Sequence, residues 1–262
     1  MDLQKLTAEV ARIAQEAGAF IRKEGASFDT AKIEYKGLND LVSYVDKGAE
    51  ERIVKGLSDL LPEAGFVTEE KTINKTGDVY NWIVDPLDGT TNFIHGLPAY
   101  SVSIALQRND ELVAGVVYEV NRDECFYAWK DGGAYLNGSR ISVSGNTEFS
   151  QALLATGFPY YNFELLEKYI GVFRELTKVC HGLRRVGSAA VDLAYVACGR
   201  FDGYFEYNLN SYDIAAGMVL VREAGGEATS FSGSNDSFST REILAGNRAL
   251  RLKMQEVINR YF

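Results

Sequence analysis

Histidine and cysteine are both scarce in this chain of 262 residues. The only histidines are His95 and His181, and there is no H-E-x-x-H pair, so a histidine-based zinc site or a Ser-His-Asp triad has little material. We expect His95 to be a packed or capping residue. Cys125, Cys180 and Cys198 are widely spaced and form no C-x-x-C pair, which predicts buried or neutral thiols.

Long apolar runs and an excess of positive charge are also missing. No run approaches the ~18 apolar residues of a membrane-spanning helix, and the N-terminal residues show no signal-peptide core. A net charge of −9 argues against a general binder of nucleic acids or anionic membranes. We therefore expect a cytoplasmic protein without nucleic-acid or membrane partners. The sequence also contains no P-loop, G-x-G-x-x-G, G-x-S-x-G or EF-hand motif.

The chain does contain enough hydrophobic residues, 46% of the total, to bury a substantial core. Apolar residues recur at helical spacing over residues 3–20 and 45–60, which predicts two amphipathic helices. Between residues 102 and 143, short apolar runs alternate with turn signals such as Asn-Gly. This pattern predicts an antiparallel meander, in a sheet that begins with the strand around residues 82–84.

The second half of the sequence has a different pattern. From residue 153 onward, short strand patterns alternate with helical patterns, and the Ser/Gly/Asn-rich residues 230–240 are typical of a surface loop. We therefore predict an α+β fold with an N-terminal subdomain, residues 1–150, and a C-terminal α/β subdomain, residues 151–262. No linker separates them, so they should share one interface.

Residues 82–93 combine the end of a buried strand with two carboxylates, a glycine and several helix-capping residues. Pro86 has no N–H group and should end the strand, which leaves Asp85 at its mouth. The Asp88-Gly89 pair predicts a tight bend, after which Thr90, Thr91 or Asn92 can cap a helix.

The same segment offers ligands for a cation and for an anion. Asp85, Asp88 and an exposed carbonyl such as that of Leu87 would form an all-oxygen cluster of the kind that Mg²⁺ prefers. The N–H groups of Gly89 and Thr90 would lie beside it, ready for a phosphate. The alternative is an ordinary type I turn, because Asp and Pro suit its first two positions.

Other polar residues also have two interpretations. Glu69 and Glu70 follow a short strand, where ligands of layered α/β proteins collect, but they could form a surface charge pair. Asp46 and Asp213 open helical patterns and could be N-caps, and Lys36 could be a solvated charge. Small residues at positions 187–190 start another helix, where backbone can approach a ligand or merely pack closely.

In their order and spacing, the Glu69-Glu70 pair, residues 82–93, residues 185–190 and residues 212–217 resemble the inositol monophosphatase family. The resemblance runs over nearly the whole chain. It implies a layered αβαβα sandwich and a Mg²⁺-dependent phosphomonoesterase that is inhibited by Li⁺ and forms a homodimer. The combination of motifs also disfavours a plain turn at Asp85 and Asp88.

The resemblance further implies roles at individual positions. The family's metal ligands, for two or three Mg²⁺ per site, correspond to Glu69, Asp85, the Leu87 carbonyl, Asp88 and Asp213. Its catalytic water is oriented by residues that correspond to Thr90, Asp46 and Glu69. Its phosphate-binding amides correspond to Gly89 and Thr90, and its substrate contacts to Gly187, Ser188, Ala189, Glu206 and Asp213. Lys36 corresponds to a lysine that lies near the metal ions in the family. Glu70 is a candidate ligand for the outer metal ion.

Departures from the family pattern concern the rim of the site. Tyr212 stands where tryptophan is usual, Ser211 where proline is common, and Thr68 and Lys71 where glycine and serine are frequent. These changes leave the predicted metal ligands intact, so they bear on substrate choice.

We expect hydrolysis of myo-inositol monophosphate or a similar sugar phosphate. The alternatives within the same chemistry are fructose 1,6-bisphosphate and 3′-phosphoadenosine 5′-phosphate. An alternative of another class is a regulatory binding partner of the transcription or translation machinery, which the acidic composition supports little.

Overall fold

The computed structural model describes residues 1–28, 34–37, 40–159 and 163–262, and for residues 34–37 and 40–42 it describes the backbone only. The helices of this part of the chain are α1 (Leu3–Gly25), α2 (Tyr44–Leu60), α3 (Thr90–Ile94), α4 (Leu166–Val179), α5 (Ala189–Ala197), α6 (Ser211–Glu223), α7 (Ser237–Thr240) and α8 (Arg248–Ile258). The strands are β1 (Glu34–Gly37), β2 (Asp40–Val42), β3 (Gly65–Thr68), β4 (Tyr80–Asp88), β5 (Ser101–Arg108), β6 (Glu111–Glu119), β7 (Glu124–Trp129), β8 (Gly133–Leu136), β9 (Ser139–Ile141), β10 (Leu153–Thr156), β11 (Gly182–Arg184), β12 (Gly203–Tyr207), β13 (Glu227–Thr229) and β14 (Glu242–Gly246).

Two large sheets organise the molecule. The larger has the order β3-β4-β5-β6-β7-β8-β9, and all of its neighbours are antiparallel except β3 and β4. The predicted meander is thus confirmed. The prediction that the sheet begins with the strand around residues 82–84 was wrong, because β3 pairs in parallel with β4 and forms the edge of the sheet. The smaller, mixed sheet has the order β11-β10-β12-β14-β13. Strands β1 and β2 form a separate two-stranded antiparallel sheet that the sequence analysis did not predict.

Helices and sheets alternate in five layers, as the predicted αβαβα arrangement requires. Helices α1 and α2 share an apolar core with one face of the larger sheet, which includes Trp82 and Val84. Ile83 belongs to the opposite face, where α5 and α6 pack between the two sheets. Helices α4 and α8 cover the far face of the smaller sheet around Phe205. The alternation of side chains along a strand explains why neighbours in β4 belong to different cores.

The middle core contains residues from both halves of the sequence. Ile83 and Val117 of the larger sheet lie in the same buried cluster as Leu193 and Tyr204 from the C-terminal half. The two predicted subdomains therefore share a core, and a boundary near residue 150 stays a prediction.

Several local predictions can be compared with the structure. Most of residues 230–240 lie at the surface, as predicted, but the segment is not entirely a loop, because it includes the short helix α7, and Phe231 and Ser237 are buried. The three cysteines are free, and burial raises the pKa of the Cys125 thiol to about 12. The exposed His95 ends α3, where its backbone N–H contributes to the C-cap. Among the described helices, none combines the length and apolar character needed to cross a membrane.

Candidate active site

The predicted metal-binding segment begins in a β-bulge of β4. Opposite β5, Asp85 pairs with Ser103 and Asp88 pairs with Ser101, so β4 has one extra residue between the two aspartates. The prediction that Pro86 ends the strand was wrong, because a bulge interrupts the ladder where proline cannot donate. The N–H of Leu87 donates to Asp85 Oδ1 at 3.0 Å, and this bond fixes the local turn. The bulge thus presents both carboxyl groups at the end of the strand.

Asp88 is held at the N-terminus of α5. Its Oδ2 accepts hydrogen bonds from the Ser188 hydroxyl at 2.6 Å and from the Ala190 N–H at 2.7 Å. Ser188 is also the N-cap of α5, and its hydroxyl accepts from the N–H of Val191. A helix N-terminus favours negative charge, so this contact stabilises the carboxylate form of Asp88.

Two glycines allow the turns around Asp88 to approach each other. Gly89 and Gly187 have φ values of 97° and 95°, in the region that glycine adopts most readily. A Cβ on Gly89 would lie 3.3 Å from the carbonyl oxygen of Gly187, so the two segments are nearly in contact. Asn92 links them, since its Nδ2 donates to the carbonyl oxygens of Ala99 at 2.7 Å and Val186 at 2.9 Å.

The N-cap of α3 is Gly89 itself, without a side-chain cap. The prediction that Thr90, Thr91 or Asn92 caps this helix was therefore wrong. Asn92 is used in the crosslink across the site, and the Thr90 hydroxyl has other partners.

Those partners are Asp46 Oδ1, at 2.9 Å, and the Leu87 carbonyl oxygen, at 3.0 Å. Asp46 is fully buried and occupies the third position of α2, not the N-cap, which is Ser43. The Ser43 N–H and hydroxyl donate to Asp46 Oδ2 at 2.8 and 2.6 Å. Burial raises the pKa of Asp46, and the bonds from Ser43 and Thr90 oppose that shift.

Asp213 has the equivalent position in α6. Asn210 is the N-cap, and its N–H donates to Asp213 Oδ2 at 2.6 Å. The interpretation of Asp213 as an N-cap was thus wrong by three residues, because a capping box places its acidic residue at the third helical position.

Glu69 follows β3 and contacts β4 in two ways. Its N–H donates to the carbonyl oxygen of Val84 at 3.2 Å, and its carboxyl group lies close to that of Asp85. The next residues of this turn are held by Glu50, a buried side chain of α2 that the sequence analysis did not single out. The apolar stripe of α2 gave no sign of it, because its partners lie in another segment.

These segments enclose a cavity of about 310 Å³ that draws on both sheets. It is lined by Glu69, Lys71, Asp85, Leu87, Asp88, Gly89, Thr90, Thr91, Gly157, Phe158, Pro159, Arg185, Gly187, Ser188, Ala189, Glu206, Tyr207, Asn208, Leu209, Asn210, Tyr212 and Asp213. Of the predicted site residues, Asp46 contacts the cavity through Thr90, and Glu70 lies next to Glu69 outside the lining. The side chain of Lys36 lies outside the described residues.

Four carboxyl groups dominate the electrostatics of this cavity: Asp85 is buried, and Glu69, Asp88 and Asp213 are half-buried. Burial and then mutual repulsion raise the pKa of Glu69 and of Asp85 well above the usual range. Burial and the neighbouring Asp88 raise the pKa of Asp213 to about 8. Burial also raises the pKa of Asp88 to about 6, although Ser188, the first amides of α5 and Arg185 oppose the shift. Without a cation, the cluster therefore retains protons near neutral pH.

This donor set suits a hard divalent cation, which binds carboxylate and carbonyl oxygens. Among the described residues, no three acidic, histidine or cysteine side chains form a ready three-ligand cage. A cation could instead bind two carboxylates together with a backbone carbonyl oxygen or water. Asp85, Asp88 and the carbonyl oxygen of Leu87 between them would provide such a ligand set. The residues present therefore fit a magnesium site of mixed side-chain and backbone oxygens.

The opposite side of the cavity is formed by Glu206 and its neighbours. The buried Tyr204 hydroxyl donates to Glu206 Oε2 at 2.5 Å. Burial raises the pKa of Glu206 to about 7, while Tyr204 and Arg185 oppose the shift. Gly157 packs against this carboxyl group, since a Cβ there would lie 1.9 Å from Oε2. Sequence patterns did not reveal Tyr204 or Gly157, whereas Arg185 lies two residues before Gly187, the first of the small residues at positions 187–190.

Fold and site together define a layered α/β protein with an oxygen-rich acidic cavity. The model of the inositol monophosphatase family matches residues 2–262. An inositol-1-monophosphatase of Rhizobium meliloti (strain 1021) is 40% identical over 246 residues, which cover 94% of this chain and 92% of that protein. The Nus factor SuhB of Escherichia coli (strain K12) is 43% identical over 237 residues, 90% of this chain and 89% of that protein.

The crystal structure of the extragenic suppressor protein suhB from Bartonella henselae has the same fold. It is 38% identical, with a TM-score of 0.92, and the match covers 97% of this chain and 98% of that one. The chain belongs to the inositol monophosphatase family.

Proposed function

We propose that the protein is a Mg²⁺-dependent phosphomonoesterase that hydrolyses inositol monophosphate or a similar sugar phosphate. The observation that carries this proposal is the cluster of Glu69, Asp85, Asp88 and Asp213 around one cavity. Unit charges ~4 Å apart repel by roughly 4 kcal/mol at an effective dielectric constant of ~20, so such a cluster favours cations. Membership in the family supports the same chemistry.

The residues proposed to hold the ions are these four carboxylates and the Leu87 carbonyl, with Glu70 near the outer ion. When bound, Mg²⁺ supplies charge that balances the carboxylates and Lewis-acid activation of the attacking water and the leaving oxygen. Thr90 and Glu69 orient that water. The hydroxyl of Thr90 is itself held by its hydrogen bond to Asp46. The N–H groups of Gly89 and Thr90 bind the phosphate.

Substrate selection is assigned to the Glu206 side of the cavity. A carboxylate accepts hydrogen bonds from two neighbouring hydroxyls, which suits a polyol such as inositol or a sugar. The Tyr204 hydroxyl fixes one oxygen of Glu206, and Gly187, Ser188 and Ala189 form the adjacent wall. The Ser188 hydroxyl already donates to Asp88, so its contact to substrate would use other atoms.

We expect Gly157→Ala to alter this selection. The new methyl group would displace the Glu206 carboxyl group, since its position lies within 2.1 Å of Glu206 Oε1 and Oε2. The loss of one charge-assisted hydrogen bond should raise KM for inositol 1-phosphate about tenfold or more, with a smaller change for a phosphate ester without ring hydroxyls. Steady-state kinetics with both substrates measure the difference. Gly145→Ala, where a Cβ meets only open space, is the control.

The test of the function itself is phosphate release from a panel of esters. The panel contains inositol 1-phosphate, fructose 1,6-bisphosphate, 3′-phosphoadenosine 5′-phosphate and histidinol phosphate, each with Mg²⁺, with EDTA and with added Li⁺. We expect Mg²⁺-dependent, Li⁺-sensitive release led by inositol 1-phosphate, and none from Asp85→Asn. Release that persists in EDTA or in the variant would contradict the proposal.

A second candidate function is suggested by relatives named Nus factor SuhB. A protein with that role should bind the transcription machinery whether or not its metal ligands are intact. Co-purification of Asp85→Asn with RNA polymerase, together with no turnover of any ester by the wild type, would favour this candidate. The homodimer, the cytoplasmic location and the absence of nucleic-acid and membrane partners stay predictions.

A further inference from the structure

A buried carboxyl group outside the cavity accepts an unusual number of hydrogen bonds from one turn. Glu50 lies on α2 and is fully buried. Its Oε1 accepts from the Thr68 hydroxyl at 2.9 Å and from the Thr72 N–H and hydroxyl, both at 2.7 Å. Its Oε2 accepts from the Glu70 N–H at 2.8 Å. The donors lie on both sides of Glu69 in the sequence.

The turn that carries Glu69 has little regular structure of its own. Residues 69–77 lie between β3 and β4 and belong to neither a helix nor a strand. Lys71 has φ 55°, a left-handed conformation that costs a non-glycine residue about 1 kcal/mol or more. Such a conformation persists only where surrounding contacts enforce it, and the bonds from Glu70 and Thr72 to Glu50 flank Lys71.

Helix α2 thus contacts the site at two places. Asp46 and Glu50 are four residues apart, so they lie on the same face of the helix. Asp46 contacts the Thr90 hydroxyl, which follows β4, whereas Glu50 holds the turn that follows β3. The helix therefore sets the position of the β3 turn relative to the β4 bulge, and with it the position of Glu69 relative to Asp85.

We propose that Glu50 is a positioning residue for the divalent-cation site, which acts by holding the 68–72 turn so that Glu69 meets Asp85. The proposal rests on the proposed function, because it requires that Glu69 and Asp85 bind the cation. Groups that orient metal ligands commonly change metal affinity or activity by about 10- to 100-fold when they are removed. The predicted consequence is a loss of cation affinity in a protein that remains folded.

Glu50→Gln is the first test. Glutamine has the same shape but places an NH₂ group against N–H and O–H donors, so it cannot accept all four bonds. We expect the Kd for Mn²⁺, measured by electron paramagnetic resonance without substrate, to rise about 10- to 100-fold. The Mg²⁺ concentration for half-maximal activity should rise in parallel, while kcat at saturating Mg²⁺ stays near the wild-type value. Glu51→Gln, an exposed neighbour on α2, is the matched control.

A second pair of variants keeps the test decisive if Glu50→Gln folds poorly. Thr72→Val removes one of the four donors at an exposed position, whereas Thr72→Ser retains it. We expect Thr72→Val to weaken Mn²⁺ binding about two- to tenfold, the typical effect of one hydrogen bond, and Thr72→Ser to restore it.

The outcomes separate the two proposals. A wild-type protein that binds no Mn²⁺ would overturn the proposed function and this inference with it. Wild-type binding, combined with unchanged Kd values in folded Glu50→Gln and in Thr72→Val, would overturn the inference alone. A lower Tm with unchanged Mn²⁺ affinity has the same meaning, because it assigns Glu50 a structural role only.

Discussion

Helices α2 and α6 begin with the same capping box, yet the two aspartates have different surroundings. In each box the N-cap N–H donates to the aspartate Oδ2, from Ser43 to Asp46 at 2.8 Å and from Asn210 to Asp213 at 2.6 Å. The Oδ1 of Asp46 accepts from Thr90, so this aspartate is surrounded by donors. Asp213 lines the cavity, where burial raises its pKa and the charges of Asp88 and Glu206 raise it further.

The difference shows how a helix terminus can serve two purposes. Because the cap uses only one carboxylate oxygen, the other remains available for the site, and the helix fixes its direction. Where the second oxygen meets a hydroxyl donor, the residue can orient that hydroxyl. Where the carboxylate lies among other acidic groups, the energetic conflict is relieved by a cation or a proton.

The largest expected difference between the boxes is in turnover. Asparagine can still accept the cap hydrogen bond, so Asp213→Asn and Asp46→Asn should both keep their helices. Asp213→Asn removes a proposed metal ligand and should lower kcat/KM for inositol 1-phosphate by at least about a thousand-fold. Asp46→Asn disturbs only the support of Thr90 and should cost about 10- to 100-fold. Equal losses in the two variants would show that the two aspartates have equivalent roles.

The next difference concerns stability as a function of pH in EDTA. The pKa of Asp213 is about 8 in the folded protein, against a usual value of 3.8. Between these values the folded state holds a proton that the unfolded state has released, so stability falls as the pH rises from about 4 to about 8. We expect Tm in EDTA to decline across this range, and Asp213→Asn to reduce the decline more than Asp46→Asn does.

Mg²⁺ supplies a control for this titration. Because the cation competes with protons for the carboxylates, it should raise Tm more at pH 8 than at pH 6. Differential scanning calorimetry with EDTA and with Mg²⁺ measures both slopes. A Tm in EDTA that rises steadily between pH 5 and 8 would show that other groups dominate the linkage.

The smallest expected effect on activity comes from the removal of a helix cap outside the site. Asn247 caps α8 and accepts from the Leu250 N–H at 3.0 Å, whereas Asn210 caps α6 and lines the cavity. Asn247→Ala removes this cap and the bonds from Asn247 Nδ2 to the carbonyl oxygens of Ser144 and Asn146, so it should lower the free energy of unfolding by about 2–3 kcal/mol and leave kcat and KM unchanged. Asn210→Ala removes the side-chain oxygen that accepts from Arg241 Nη2, but it keeps the backbone N–H that donates to Asp213 Oδ2, so Mg²⁺ affinity should stay close to the wild-type value. Chemical denaturation measures the loss of stability in both variants, and Mg²⁺ titrations check that the affinity is retained.

Much of the site could be predicted because its residues lie next to the elements that position them. The end of a strand carries Asp85 and Asp88, and the start of a helix carries Asp213. Short sequence patterns predict such strand and helix ends. The layered fold followed from helical and strand periodicity combined with the family resemblance. Metal-ligand and substrate roles for these residues stay predictions.

The errors arose where tertiary contacts override local preference. Proline usually ends a regular strand, but in β4 a bulge accommodates Pro86. That bulge depends on the register of β4 with β5, which the local sequence does not contain. Gly89 replaces a polar N-cap because its φ of 97° favours glycine, and because a Cβ there would lie only 3.0 Å from the carbonyl oxygen of Ala99. Glu50 appears in the sequence as one more charged residue on an amphipathic helix, and only the fold brings it to the turn after β3.

The shared core between the two sheets has a consequence for the order of folding. Asp46 and Asp213 come from distant parts of the chain, and α6 packs between sheets that the two halves supply. Contacts of such long sequence separation form late, so the cavity should be absent from early folding intermediates. An ion that binds only the finished cavity would then slow unfolding and leave the folding rate almost unchanged.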